Sequence, residues 1–90
     1  MEVPIEHLKN ELKKNRIKHG FRQDDIAKLL ELQSHDRISH WEKGHAVPGI
    51  VNLFKLSIFY NTFPHKIYFK LWKKLSRKKK KFEPPRRPLN

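Results

Sequence analysis

Ninety residues carry 21 Lys and Arg against 9 Asp and Glu, a net charge of +12, and no cysteine. That composition excludes a disulfide-stapled scaffold and a thiolate metal site. It favours a polyanionic partner, nucleic acid first and an anionic membrane second. A chain this short builds one small domain with a modest core. No apolar run approaches the ~20 residues that a membrane span needs, and MEVPIEHLKN lacks the basic-then-apolar layout of a signal peptide. A soluble cytoplasmic protein is expected.

In chain order, Pro4 reads as a first-turn residue, and the segment after it as a helix with Ile5, Leu8 and Leu12 on one face. His19-Gly20 ends that helix, glycine taking a left-handed terminus at little cost. A second helix runs from Gln23 to Leu30 or Glu31, burying Ile26, Ala27 and Leu30, with Asp24 and Asp25 suiting the dipole of its first turn. After Leu32-Gln33, Ser34 is a good N-cap for a third helix from His35 to about Lys43, and Gly44 ends it. Two large apolar residues, Ile38 and Trp41, anchor that helix, while His35, Asp36, Arg37, Ser39, His40 and Lys43 are left to point outward. Pro48 opens a fourth helix to about Tyr60, with Ile50, Leu53, Leu56 and Tyr60 at helical spacing. A fifth, from about His65 to Leu75, carries Ile67, Tyr68, Leu71 and Trp72, read as core with a dimer contact as the alternative.

From Lys73 onward nine basic residues face one acid, Glu83. RKKKKFEPPRRPLN mixes like charges with proline and lacks the apolar surface to order itself. The expected organisation is therefore an all-α domain of five helices over residues 1–75 and a disordered basic tail over 76–90. The tail has three readings: an arm that strengthens nonspecific DNA binding, which is favoured; a site for an acidic protein partner or RNA; and a solubilising end.

The joint between helices two and three, with small Ala27, a brief turn and a Ser-capped helix, has the sequence shape of a helix-turn-helix. RQDDIAKLLELQSHDRISHWEKGHAVP, residues 22–48, resembles the DNA-binding domain of Cro- and phage-repressor-like (Xre-type) regulators. Gln23, Ile26, Ala27 and Leu30, then Ile38, Ser39, Trp41, Glu42, Gly44 and Pro48, carry the likeness, which extends over about residues 8–62. Two departures stand out. Arg22 occupies the place of the family's Ser or Thr cap, and the turn ELQ is one residue longer than usual.

The resemblance implies a lambda-repressor-like fold whose third helix enters the major groove of double-stranded DNA. It places His35, Asp36 and His40 at base-reading positions, with Arg37 and Ser39 beside them and Ser34 at the helix start. Asp36 has a second reading, in which it orients His40 or Arg37. Gln23 falls at a phosphate-contacting position, and Lys43, His45 and Asn52 where the following loop and helix approach phosphates. Arg16 and Glu42 are expected to form a structural ion pair.

The function expected is a sequence-specific transcriptional regulator, a repressor of bacterial or mobile-element origin, binding as a homodimer. One rival is an antitoxin-like protein-interaction module that binds DNA only for autoregulation. Another is a cationic membrane-surface or RNA-binding protein driven by residues 66–82, although no membrane partner is expected from the resemblance. Paired carboxylates, a Ser–His or Cys–His constellation and a phosphate-cradling glycine loop are all missing, so no enzyme, catalytic residue or cofactor is expected. The six histidines show no convincing ligand spacing, so no metal is expected.

Overall fold

Four of the helices stop the same way, and that repeated stop sets the short connections that shape the fold. In the computed structural model, which describes residues 8–88 apart from the side chains of Lys80 and Phe82, α1 spans Leu12–Lys18, α2 Gln23–Leu29, α3 Asp36–Glu42 and α4 Ile50–Phe59. Each is followed by one left-handed residue: Gly20 (φ 76°), Glu31 (φ 58°), Gly44 (φ 79°) and Asn61 (φ 47°). Beyond each such residue an amide reaches back to the carbonyl three positions before the helix cap: Phe21 to Arg16, Leu32 to Ala27, His45 to His40 and Thr62 to Ser57, at 2.8–3.0 Å. This is the Schellman closure, which satisfies carbonyls that a helix end would otherwise strand. At Gly44 a second constraint applies, because a Cβ there would lie 2.5 Å from the Leu8 carbonyl oxygen.

The core gathers Leu8, Leu12, Ile26, Ala27, Leu30, Ile38, Trp41, Leu56, Tyr60, Ile67 and Tyr68, with Phe21, Leu32, Leu53 and Leu71 packed around it. Small Ala27, 4% exposed, sits where α2 meets α3. The all-helical class, with no strand among the described residues, agrees with the sequence reading.

Several details differ from expectation. The first helix begins at Leu12 rather than after Pro4, and Pro4 and Ile5 lie outside the described residues. Leu8 is buried from a non-helical segment, Glu11 is the N-cap, and Asn10 just before it braces the helix start. Its Oδ1 accepts the Leu12 N–H at 3.0 Å, and its Nδ2 donates to the Trp41 carbonyl at 2.8 Å. Arg22 stands at the N-cap of α2, and the cap is supplied from the other side, by Asp25 Oδ2 accepting the Arg22 N–H at 2.7 Å.

The single fifth helix is two: α5, Pro64–Ile67, and α6, Phe69–Arg77, broken at Tyr68. The break has a cause. The Ile67 carbonyl accepts the Glu11 N–H at 2.8 Å, so the N-terminal segment takes an acceptor that a continuous helix would use. The core stripe therefore ends early: Ile67 and Tyr68 are buried and Leu71 half-buried, but Trp72 is 54% and Leu75 56% exposed. Ile50, placed on the inner face of the fourth helix, is 68% exposed, because α4 starts at Ile50 itself behind Gly49. Helical structure also persists further than expected, through Arg77 and a short α7 at Lys79–Phe82, so that segments without regular structure begin at Glu83.

Candidate nucleic-acid interface

The α3 helix is seven residues long and held from behind. At about 100° per residue, Ile38, Trp41 and Glu42 fall on one side, and Asp36, His40 and Lys43 on the other, with Ser39 and Arg37 at the flanks. Ile38 is 2% and Trp41 5% exposed. Asp36, Arg37, His40 and Lys43 are exposed and Ser39 half-buried. Two apolar anchors thus fix the helix axis and leave a continuous polar face in water.

Glu42 adds a third anchor of a different kind. Arg16 Nε donates to its Oε2 at 2.6 Å and Nη2 to its Oε1 at 3.1 Å, a two-pronged pair across α1 and α3. Gln23 Nε2 donates to the same Oε1 at 3.0 Å, which brings in the start of α2. Arg16 Nη1 also donates to the Phe21 carbonyl at 3.1 Å, tying in the turn after α1. The side chains of Arg16 and Glu42 are only 11% and 4% exposed. The hydrogen bonds that Arg16 donates to Glu42, opposed by burial, hold its guanidinium more basic than usual. Nearby Tyr60 is pushed well above its ordinary phenol range, first by burial and then by the Glu42 charge. One buried carboxylate therefore fixes α1, α2 and α3 relative to one another.

At the front, the N-terminus of α3 lies beside that of α2. Ser34, expected as the N-cap, lies one residue before it: its Oγ only loosely accepts the Asp36 N–H at 3.4 Å, and His35, expected in the first turn, occupies the N-cap position. His35 lines one cleft with Arg16, Arg22, Gln23 and Asp24. His40 and His45 face each other across Gly44, ring centroids 6.3 Å apart. The carboxylate of Asp36 holds neither His40 nor Arg37, having no ion-pair or hydrogen-bond partner among the described residues. Lys43 and His45 are exposed on the loop that follows, and Asn52 is half-buried in the first turn of α4. Gln23 is half-buried and committed to Glu42 through one amide hydrogen.

Asn10 and the Phe21 carbonyl were not singled out from the sequence, and Asp25 was read there only as an acid suited to the helix dipole, not as the group that caps Arg22. Asn10 could have been singled out: asparagine side chains favour bonds to nearby backbone at helix starts, and it stands just before the N-cap Glu11. Among the described residues no group of His, Asp and Glu side chains could hold a metal ion, and no helix is long and apolar enough to cross a membrane.

Two helices joined by a tight turn, the second pinned from behind and polar in front, define a helix-turn-helix DNA-binding protein. The helix-turn-helix family model matches residues 12–64, more than half of the chain. The chain belongs to this family, the Cro- and phage-repressor-like (Xre-type) group of DNA-binding transcription regulators. No curated protein and no solved structure matches it.

Proposed function

We propose that the protein is a sequence-specific regulator that reads duplex DNA with α3 in the major groove and represses by occluding a promoter. The observation that carries this reading is the polar face of α3, held in a fixed orientation by Ile38, Trp41 and the buried Glu42 network. His40 and Arg37 are the principal base-reading groups. Arginine suits guanine, and histidine can donate to guanine or accept from an exocyclic amine. His35, Asp36 and Ser39 complete the reading face. With no internal partner, Asp36 is free to accept from a cytosine amine. Ser34, Lys43 and His45 set register on phosphates, which positions the protein without reading sequence. An amide nitrogen carries two hydrogens, so Gln23 keeps one for a phosphate while Glu42 holds the other.

Binding is by a symmetric pair of chains on a two-fold related site, in the cytoplasm. The exposed apolar side chains of α4, Ile50, Val51, Phe54 and Ile58, support an association with a second copy or with another protein. That same observation keeps the antitoxin-like reading as the alternative, and co-purification of a stoichiometric second protein would favour it.

The test is titration of a cognate duplex by wild type, Lys43→Ala, and Arg37→Ala with His40→Ala. Lys43→Ala should weaken binding to cognate and random duplexes alike. The double variant should erase the difference between them while its circular dichroism stays helical. A double variant that still prefers the cognate duplex would place the reading surface elsewhere.

A further inference from the structure

The α6 helix is nine residues long and buries none of them. A helix this short is marginal by itself in water, since helices of this length draw their stability from a packed face. Its exposed apolar side chains are Phe69 at 49%, Trp72 at 54% and Leu75 at 56%. They do not stand alone. The His65 ring lies 5.0 Å from Trp72 and 5.8 Å from Phe63, itself 63% exposed, so the apolar surface runs on from α6 across the start of α5.

Cations border this surface at each point. Lys66 Nζ lies 6.0 Å from the Phe63 ring centroid, and Lys73 Nζ 5.5 Å from that of Phe69. Lys78 and Lys79 line one cleft with Trp72 and Leu75. The one acid in that cleft, Glu83, is paired with Arg86 at 2.7 Å. No acid occurs within α6 itself.

We propose that this face, Phe63, Phe69, Trp72 and Leu75 with its lysine rim, docks on the surface of a bilayer containing anionic phospholipid. Aromatic and leucine side chains flanked by lysines are the composition that settles at the boundary of headgroup and acyl chain. The rings and Leu75 enter that boundary, and the lysine stems reach back to the phosphates. The contact is peripheral, made by a face and not by a spanning segment, and it returns the lipid surface that the sequence reading set aside.

Other occupants fit less well. A second copy would press one lysine rim against another. Duplex DNA would satisfy the lysines but offers its backbone nothing for four apolar side chains. An acidic amphipathic helix of another protein matches both features, but the rim offers only lysines, point charges on flexible stems that lack the rigid fork needed to fix its register. The inference does not rest on the DNA-binding reading, although Phe69 shares a cleft with Lys43, and Phe63 one with Phe54 and Ile58 of α4.

The experiment uses the full chain and vesicles of phosphatidylglycerol and phosphatidylcholine in equal parts, with pure phosphatidylcholine as control, at about 150 mM salt. The protein should sediment with the anionic vesicles and leave the neutral ones. Trp72 emission should move to the blue and be quenched by brominated acyl chains, while Trp41, 5% exposed, gives a constant background. Phe69→Gln with Leu75→Gln preserves the charge and should weaken partitioning by about tenfold or more, from loss of apolar transfer. Quenching in the wild type needs no variant, so it stands if the double variant folds poorly. Unquenched Trp72 emission in sedimenting protein, or undiminished partitioning of a folded double variant, would show plain charge attraction and overturn the proposal. So would failure to sediment, or a glutamate-rich amphipathic peptide that occupies this face when vesicles do not.

Discussion

Replacing Arg16 by methionine tests the network that orients α3. The substitution leaves Glu42, 4% exposed, with Gln23 as its one remaining side-chain donor, and releases the Phe21 carbonyl at the turn after α1. Breaking a buried pair by removing one partner costs about 3–5 kcal/mol, because a charge stays buried without compensation. A domain of this size has only about 5–15 kcal/mol in total. The loss should therefore lower the thermal midpoint by well over about 10 °C, at the roughly 4–8 °C per kcal/mol of small domains. Urea unfolding followed by circular dichroism measures it. The paired variant Arg16→Met with Glu42→Leu removes both charges and should recover more than half of the loss, since apolar groups of similar volume often replace a buried pair without penalty. A loss below about 1 kcal/mol for Arg16→Met, the range of a surface pair, would refute the reasoning.

Other perturbations follow from particular backbone and side-chain positions. Glu31 holds a left-handed conformation that costs a side-chain-bearing residue roughly 1–2 kcal/mol, so Glu31→Gly should raise the urea midpoint despite the looser unfolded chain. Gly44→Ala should do the opposite and severely, its Cβ falling 2.5 Å from the Leu8 carbonyl oxygen at φ 79°. The buried Tyr68 hydroxyl has no hydrogen-bond partner among the described residues, so Tyr68→Phe should stabilise by about 1 kcal/mol. Burial pushes the Tyr68 phenol from 10.0 up to about 12. The folded state thus keeps a proton that the unfolded chain releases, and its stability, full below pH 10, should fall as pH rises toward 12. Unfolding midpoints measured at pH 9 and pH 11 check this, and equal values would contradict it. Truncation after Ser76 removes seven basic residues. It should flatten the salt dependence of DNA binding by up to about 6 in log–log slope, with the preferred sequence unchanged.

The parts of the fold visible in the sequence were those set by local chemistry. Gly20 and Gly44 mark helix ends because left-handed residues favour glycine, and Ile26, Ala27, Leu30, Ile38 and Trp41 mark inner faces by spacing alone. What escaped depends on distant partners. The break at Tyr68 comes from the bond between Glu11 and Ile67, 56 positions apart, within an otherwise unbroken helical pattern. Glu31 gives no glycine signal for its left-handed turn, since the Leu32–Ala27 bond imposes it. Trp72 and Leu75 share the stripe of Ile67 and Tyr68 in sequence, but the break carries them past the core into water. At the candidate site, the outward set on α3 was readable because two anchors three residues apart leave the rest exposed. The bond between Gln23 and Glu42 was not, because it joins separate helices.

Readout of duplex sequence by the exposed face of α3 is the proposed activity. It is tested most directly by selecting duplexes from a random library with the full chain at about 150 mM salt, beside the Arg37→Ala, His40→Ala double variant. One reproducible site, arranged as an inverted repeat, should be enriched by wild type and lost with the folded double variant. Enrichment of the same site by both proteins, or uniform salt-sensitive binding with no enrichment by either, would contradict it.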